Sequence, residues 1–228
     1  MFTLDASVPA ELAPLSWLLG VWEGTGVIDY KVGSGDDAEH RSAEFRQRIS
    51  FSHDGLPYLN YSSATWLLPG SVSEPRSSSL EPRSSPAERA EGESKGRALA
   101  HVAESGYWRL HRPLGPADPG PGMLPATGDP VFTTVGEVET LRNEAGGFDI
   151  EVAIIHPTGV SEFYLGQVRG PRIDLATDAV VRSSTAKEYA AATRLYGLVQ
   201  GHLLWAWDIA ALGQDLRTHA SARLARLE

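Results

Sequence analysis

The feature that most constrains the fold of this chain is a succession of short segments in which apolar and polar residues alternate. Turn-forming tripeptides, such as HDG at 53–55 and PTG at 157–159, separate these segments. A parallel sheet would need helical crossovers between its strands, and the pattern contains none. The sequence therefore predicts an all-β protein of about ten antiparallel strands, arranged as a meandering barrel or a sandwich. The candidate strands are residues 21–30, 45–52, 58–68, 98–110, 135–142, 148–155, 161–168, 172–176, 185–196 and 202–210.

The two ends of the chain depart from this pattern. Residues 10–19 carry leucines at helical spacing, and Gly20 follows at the position of a C-terminal cap, so we expect one short helix there. Residues 216–227 fit one face of a helix and one face of a strand equally well. The secondary structure of this last segment stays open on sequence grounds.

Two stretches interrupt the strands without forming a unit of their own. Residues 71–95 are rich in Ser, Pro, Glu and Arg, and Pro and Gly dominate residues 113–128. The first has too little apolar surface to offset the entropy that it would lose on ordering. Neither stretch is flanked by a separate complete set of strands. We therefore predict a single domain over residues 1–228, with loop insertions at about 71–95 and 113–128.

Composition excludes several classes of function. The chain has no cysteine, which rules out disulfides, thiolate metal sites, iron–sulfur clusters and cysteine nucleophiles. A net charge of −9 argues against nucleic acid as a partner, because the protein surface would repel its phosphates. No segment is apolar over the roughly 18 residues needed to cross a bilayer, and the first residues lack the basic start of a signal peptide. We therefore expect a cytoplasmic protein with no nucleic-acid and no membrane partner.

General catalytic motifs give no assignment. The sequence has no nucleophile elbow, no Walker loop, no dinucleotide-binding glycine motif and no zinc-protease motif. His53 and His156 each open a tight turn, where an imidazole ordinarily stabilises the turn itself. His219 lies in the apolar-patterned C-terminal segment. Spacing alone assigns no ligand role to any histidine.

A set of six segments, taken in order, carries a more specific signal. It resembles the ordered motifs of the nitrobindins, which are small β-barrels that are similar to fatty-acid-binding proteins and hold haem b. No single motif is diagnostic, but the set spans nearly all of the chain outside the two loop insertions. The segments are GVWEGTG at 20–26, FSHDGLP at 51–57, ESGYWR at 104–109, HPTGVSE at 156–162, TAKE at 185–188 with R-x-Y at 194–196, and LRTHA at 216–220.

The resemblance implies a fold and a cofactor. The fold is a single antiparallel up-and-down β-barrel of about ten strands, like that of lipocalins and fatty-acid-binding proteins, with a short N-terminal helix. The cofactor is one haem b per chain. By resemblance, His219 is the axial ligand of the haem iron, and Lys187 meets a haem propionate.

The first motif has a structural interpretation beside the family one. Gly20, Gly24 and Gly26 permit close approach and sharp curvature at the start of a closed sheet. Trp22 would then fill the closed end of the barrel. Because closing a barrel imposes these demands without any ligand, we interpret the motif as structural.

The resemblance also implies an activity. Family members of this kind isomerise peroxynitrite to nitrate and bind nitric oxide at a ferric haem, so we expect an isomerase with small-molecule ligands. The haem iron is then the only catalytic centre, since an isomerisation at iron needs no protein acid or base. A homodimer is left open.

One departure from the family pattern concerns the distal side of the haem. The family places a histidine two residues before the glutamate of the ESGY strand, and here that position is Val102. His101 lies one residue earlier, and on a regular strand this offset reverses the face. Only a β-bulge would restore it. His53 and His156 are further candidates for pocket residues.

Two other functions remain open on sequence grounds. The same barrel could carry a fatty acid or a similar apolar ligand, with Arg109 or Arg194 holding the carboxylate and His219 turned away. Arg194 and Tyr196 lie two residues apart and share a strand face, which suits such a site. Alternatively, the loop at 71–95 could recruit a partner to a scaffold.

Overall fold

The computed structural model describes residues 8–32, 39–71, 98–213 and 215–227. Within these residues, ten strands form a closed barrel in which each strand pairs antiparallel with its neighbours in sequence and β1 pairs with β10. This confirms the predicted all-β barrel. The strands are β1 (Gly20–Val32), β2 (Glu39–Ser52), β3 (Leu59–Leu67), β4 (Leu99–Leu110), β5 (Phe148–His156), β6 (Val160–Arg169), β7 (Arg172–Arg182), β8 (Tyr189–Val199), β9 (His202–Ala211) and β10 (Arg217–Leu227).

Short helices accompany the barrel. An N-terminal 3-10 helix, Ala10–Leu18, occupies the predicted helical segment and buries its leucines. The connection between β4 and β5 contains a 3-10 turn at Pro121–Met123, helix α1 at Val135–Val138 and a further 3-10 turn at Glu139–Leu141. In the described part of the chain, no helix is long and apolar enough to cross a membrane.

The prediction of a strand at 135–142 is wrong, because residues 135–141 form helix α1 and a 3-10 turn, and β4 pairs directly with β5. The tenth strand of the barrel comes from the C-terminal segment, which pairs with β1 and β9. The Thr134 hydroxyl accepts a hydrogen bond from the Glu137 N–H at 3.3 Å, and the Glu137 carboxylate accepts one from the Thr134 N–H at 2.9 Å. This reciprocal capping box begins a helix there. The ambiguous residues 217–227 form β10 instead. Residues 72–95, most of the first predicted insertion, lie outside the described residues.

One end of the barrel, called the closed end below, is filled by apolar side chains. Alternate residues of each strand point inward, so that Ile49, Phe51 and Trp108 are buried against the N-terminal helix and its neighbours. The Trp22 indole N–H donates to the Leu18 carbonyl at 2.7 Å and fixes the helix to β1. Burying each large apolar side chain contributes about 1.5–3 kcal/mol to the free energy of folding. The N-terminal helix thereby seals this end.

Glycine in the first strand allows β1 to pack closely on β10. A Cβ at Gly24 would collide with the Arg223 carbonyl oxygen and lie 2.9 Å from the Leu224 Cα. Gly20 has a φ of 121°, a conformation that other residues rarely adopt. The geometry of the barrel therefore requires glycine at both positions.

A buried ion pair ties the N-terminal helix to the β4–β5 connection. Arg112 Nε donates to Glu11 Oε2 at 2.6 Å, and its Nη1 donates to Asp118 Oδ2 at 2.8 Å. The hydrogen bonds that Arg112 donates to Asp118 lower the pKa of that carboxyl to about 2. Removing one partner of such a group would leave a buried charge uncompensated, so the three residues stabilise the closed end together.

Candidate functional site

The opposite end of the barrel, called the open end below, contains a cavity of about 320 Å³. Its walls are mainly apolar and include Ile28, Val160 and Ile209. Two larger concavities, of about 830 and 880 Å³, are lined mainly by outward-facing side chains and are grooves on the outer surface. The cavity at the open end is therefore the interior site. Its polar and aromatic lining includes His101, His156, Tyr189, Arg194, Trp207 and His219.

A β-bulge places His219 at this cavity. Thr218 pairs with Asp208 on β9 and Ala220 pairs with Trp207, so that His219 is the extra residue between two ladder positions. A bulge of this kind bends the strand and redirects a side chain that regular alternation would send elsewhere. His219 consequently lines the cavity together with its neighbour Ala220.

The imidazole of His219 is held in one tautomer. Its Nδ1 lies 3.1 Å from the Asp29 carbonyl oxygen, so the Nδ1–H donates this hydrogen bond. Burial lowers the pKa of His219, which favours the neutral ring. A neutral ring with its proton on Nδ1 carries a lone pair on Nε2, where it can bind a metal ion.

A second bulge brings His101 to the same cavity. Val102 pairs with Thr65 and Ala100 pairs with Trp66, so that His101 is the extra residue of β4. Both His101 and Val102 line the cavity. The one-residue offset from the family motif is therefore accompanied by a bulge, and the offset does not turn His101 away from the cavity.

Behind the cavity, Arg194 is buried between two carboxylates. Its Nη1 and Nη2 donate to the two oxygens of Glu104 at 3.0 and 2.9 Å, and Nη2 also donates to Glu162 Oε2 at 3.2 Å. Its Nε donates to the Tyr164 hydroxyl at 2.9 Å. Bidentate pairs between arginine and a carboxylate are among the strong charge-assisted hydrogen bonds. The guanidinium is therefore engaged by the protein itself.

Further side chains complete the hydrogen bonding of these carboxylates. His156 Nε2 lies 2.6 Å from Glu162 Oε2. The Tyr164 hydroxyl donates to Glu162 Oε1 at 2.6 Å, and the Tyr189 hydroxyl donates to the same oxygen. Tyr61 donates to Glu104 Oε2 at 2.7 Å. The resulting group, called the buried ion cluster below, consists of Tyr61, Glu104, His156, Glu162, Tyr164, Tyr189 and Arg194.

The cluster keeps both of its carboxylates ionised. Burial by itself raises the pKa of Glu162, but the hydrogen bond from His156, the charge of Arg194 and hydrogen bonds from two tyrosines together lower it to about 2. Burial also acts to raise the pKa of Glu104, and the Arg194 charge and hydrogen bonds outweigh it and lower that pKa. Burial in turn raises the pKa of Tyr164, so its phenol stays protonated and able to donate.

Trp207 connects the buried ion cluster to His219. The Arg194 guanidinium carbon lies 4.2 Å from the centroid of the Trp207 ring, within the range of a cation–π contact. The His156 ring stacks on Trp207 at a centroid distance of 6.1 Å and an interplanar angle of 11°. His219 meets the same indole in an edge-to-face contact at 5.6 Å and 79°.

Two residues that the sequence assigned to the pocket or the cofactor lie outside the cavity lining. His53 follows the end of β2 at the closed end, where its Nδ1 accepts a hydrogen bond from the Gly55 N–H at 3.2 Å. His53 therefore lies at the end of the barrel away from this cavity and is not among its lining residues. Lys187 is exposed in the loop between β7 and β8. Ser183 in this loop donates its N–H to the Gly159 carbonyl at 2.9 Å, which places the loop beside the β5–β6 turn at the open end.

The buried ion cluster is the part of the site that sequence reasoning missed. Glu104, His156, Glu162 and Arg194 all belong to the ordered motifs, but motif membership does not say that they meet. A usable signal was their position on inward faces of predicted strands, where a charged side chain needs a buried partner. Trp207 gives no such signal, because an inward aromatic residue is ordinary in any core.

Comparisons with known proteins agree with this architecture. A family model described as "THAP4-like, heme-binding beta-barrel domain" matches residues 11–226. A protein named peroxynitrite isomerase from Leifsonia xyli subsp. xyli is 58% identical over 228 residues, which cover 100% of both chains. One of the same name from Kocuria rhizophila is 49% identical over 225 residues, covering 99% of this chain and 95% of that protein. The crystal structure of Rv2717c from M. tuberculosis shares the fold, with a TM-score of 0.62 and 22% identity over 97% of this chain and 99% of that one.

Proposed function

This chain belongs to the THAP4-like, heme-binding β-barrel domain family, and from that premise we propose that it holds one haem b per chain at the open end and isomerises peroxynitrite to nitrate there. The same site would bind nitric oxide. The name of its relatives, peroxynitrite isomerase, supports the activity at up to 58% identity. The structural observation that carries the proposal is the partly buried imidazole of His219, which lines the cavity and donates its Nδ1–H to the Asp29 carbonyl.

The residues at the open end fit a haem. Haem iron takes a neutral imidazole as its protein ligand, and burial keeps His219 in that form with Nε2 free of its proton. The apolar macrocycle requires apolar walls, which Ile28, Val160 and Ile209 provide. The hydrogen bond from Nδ1 to a backbone carbonyl is the usual second contact of a ligating histidine.

The side chains around the cavity have distinct roles in this proposal. A bound haem would supply a ferric iron that acts as a Lewis acid on a small anion. His219 would bind that iron through Nε2, while its Nδ1–H donates a hydrogen bond to the Asp29 carbonyl. His101, on the bulge in β4, would donate a hydrogen bond to a ligand, and Val102 beside it would exclude water. Lys187 would pair with a propionate at the rim. Isomerisation of peroxynitrite adds no atom and moves no net proton, so it requires no further protein acid or base.

The arginines give no support to the fatty-acid carrier. Arg109 pairs with Glu151 away from the cavity. Arg194 faces the interior, but Glu104 and Glu162 already occupy its guanidinium. A ligand carboxylate would bring a third anion to the same cation. The carrier also requires His219 to turn away, whereas His219 lines the cavity. The cytoplasmic location and the homodimer stay predictions.

The test is a visible absorption titration of the apo-protein with hemin, on the wild type and on His219→Ala. We expect a saturable Soret band at one hemin per chain in the wild type and its loss in the variant, because the variant has no axial ligand. Stopped-flow mixing of the loaded wild type with peroxynitrite should then show accelerated decay to nitrate.

His53→Ala is the matched control, because it removes an imidazole at the closed end. It should titrate like the wild type. Unchanged affinity and an unchanged spectrum in His219→Ala would refute the axial assignment. A wild type without any specific Soret band would refute haem binding as a whole, and lipid extraction with mass spectrometry would then examine the carrier.

A further inference from the structure

Trp207 and its neighbour Trp205 are held in different ways, although both belong to β9 and line the same cavity. The Trp205 indole N–H donates to Gln47 Oε1 at 2.7 Å. The Nε1 of Trp207 is buried, and within the described residues it has no hydrogen-bond acceptor. Ring contacts rather than a hydrogen bond therefore set the orientation of Trp207.

The ring contacts of Trp207 fall into two groups. Arg194 lies 4.2 Å from the ring centroid and His156 stacks on the ring at 6.1 Å, and both belong to the buried ion cluster. His219 meets the ring edge-to-face at 5.6 Å. The cluster side chains are fixed by their own hydrogen bonds, such as the 2.6 Å contact between His156 and Glu162. The Trp207 indole therefore contacts the buried ion cluster on one side and the His219 imidazole on the other.

We propose that Trp207 is a positioning residue for His219, and that Arg194 and His156 hold its indole in place. The proposal rests on the proposed function, because the ring plane of His219 matters for a haem only if His219 binds the iron. The hydrogen bond from Nδ1 to the Asp29 carbonyl fixes one point of the imidazole. The edge-to-face contact with Trp207 restricts rotation about that point and so defines the ring plane.

The experiment compares hemin-loaded wild type, Trp207→Leu, Trp207→Phe and Trp17→Leu. Trp17→Leu is the matched control, because it makes the same change in the N-terminal helix at the closed end. One readout is the proton hyperfine shifts of the haem methyls in the ferric cyanide complex, which report the orientation of the axial imidazole. The other is the rate of hemin transfer to excess apomyoglobin.

We expect Trp207→Leu to bind one hemin per chain through His219, with redistributed methyl shifts and hemin transfer about two- to tenfold faster, the range for one lost aromatic pair. Trp207→Phe retains an aromatic ring and should change both readouts less, in the same direction. Trp17→Leu should match the wild type in both. If Trp207→Leu does not fold, the methyl shifts and the transfer rate of Trp207→Phe test the positioning role instead.

The possible failures are distinguishable. Methyl shifts and transfer rates that match the wild type in both Trp207 variants would overturn the positioning role and leave haem binding intact. Equal changes in Trp17→Leu would also overturn it, since the effect would then reflect general destabilisation. A wild type that binds no hemin would overturn the proposed function and this inference with it.

Discussion

The two ends of the barrel are built from the same ten strands but differ in the regularity of their pairing. At the closed end the ladders run without interruption, and inward side chains such as Trp22 and Trp108 are almost fully buried. The register shifts of the described strands all fall in the half of the barrel towards the open end. Two of them contain His101 and His219. Regular pairing thus accompanies close packing, and irregular pairing accompanies the cavity.

This difference between regular and bulged pairing explains how one sheet can provide both a packed scaffold and a ligand cavity. Strict alternation sends every second side chain inward, which packs a core efficiently but leaves no freedom in where a functional side chain points. A bulge adds one residue and redirects it. The buried ion cluster lies between the two regions and supplies rigid polar contacts next to the cavity.

The largest expected effect is a loss of stability, without a loss of hemin affinity, when a buried side chain at the closed end is truncated. Leu15 in the N-terminal helix is fully buried, and we expect Leu15→Ala to lower the free energy of unfolding by about 2–5 kcal/mol, as other buried leucines do. Chemical denaturation of the apo-protein measures this change. Hemin affinity of the folded fraction should stay within about twofold of the wild type, a difference of under 0.5 kcal/mol.

Leu165→Ala is the control for this prediction, because Leu165 lies on the outer face of β6 with 39% of its surface exposed. Its unfolding free energy should change much less. A tenfold loss of hemin affinity in folded Leu15→Ala would contradict the division of the barrel into a scaffold end and a binding end.

The next expected effect concerns the buried ion cluster under acid. The pKa of Glu162 in the folded protein is about 2, well below the roughly 4.3 of an exposed glutamate. The carboxylate therefore stabilises the fold above about pH 4.3, and this stabilisation is lost as the pH falls towards 2. A shift of this size corresponds to about 3 kcal/mol.

We therefore expect the unfolding free energy of the wild type to fall more steeply between pH 5 and pH 2 than that of Glu162→Gln, because the amide does not titrate. Thermal or urea unfolding across this range measures both slopes. Part of the slope should remain in the variant, since Asp118 at the closed end also has a lowered pKa. Parallel profiles of the wild type and Glu162→Gln would show that Glu162 contributes no acid sensitivity.

The fold was largely predictable because its signal is local. Alternation and turn residues locate nine of the strands and need no knowledge of distant contacts. Most predicted bounds are within four residues of the observed ones, but β2 begins six residues before the predicted start and β7 ends six residues after the predicted end. The failure at 135–142 is also local in origin, since the Thr134 and Glu137 capping box competes with an apolar pattern too short to distinguish helix from strand. The C-terminal segment was undecidable alone, because only pairing of β10 with both β1 and β9 makes it a strand.

The candidate site was less predictable, because its chemistry depends on register. The motif order pointed to His219, but the bulges that aim His101 and His219 arise from the pairing of neighbouring strands and leave no composition signal. The meeting of Glu104 with Arg194 joins residues 90 positions apart in the chain. Such contacts follow from barrel closure, which no segment encodes by itself.

The smallest expected effect tests the rim of the open end. Lys187 is exposed in the β7–β8 loop, its backbone carbonyl accepts a hydrogen bond from Arg182 Nη1 at 3.2 Å, and the loop contacts the β5–β6 turn. An exposed charge contact with a propionate is worth at most about 1 kcal/mol, so Lys187→Ala should raise the dissociation constant for hemin by about two- to fivefold. Fluorescence quenching titrations at low ionic strength measure it, and 0.5 M salt should reduce the difference. Arg169→Ala, which removes a cation at the closed end of β6, should leave the constant unchanged. Equal affinities of Lys187→Ala and the wild type at low salt would make Lys187 an ordinary surface residue and confine haem recognition to the side chains inside the cavity.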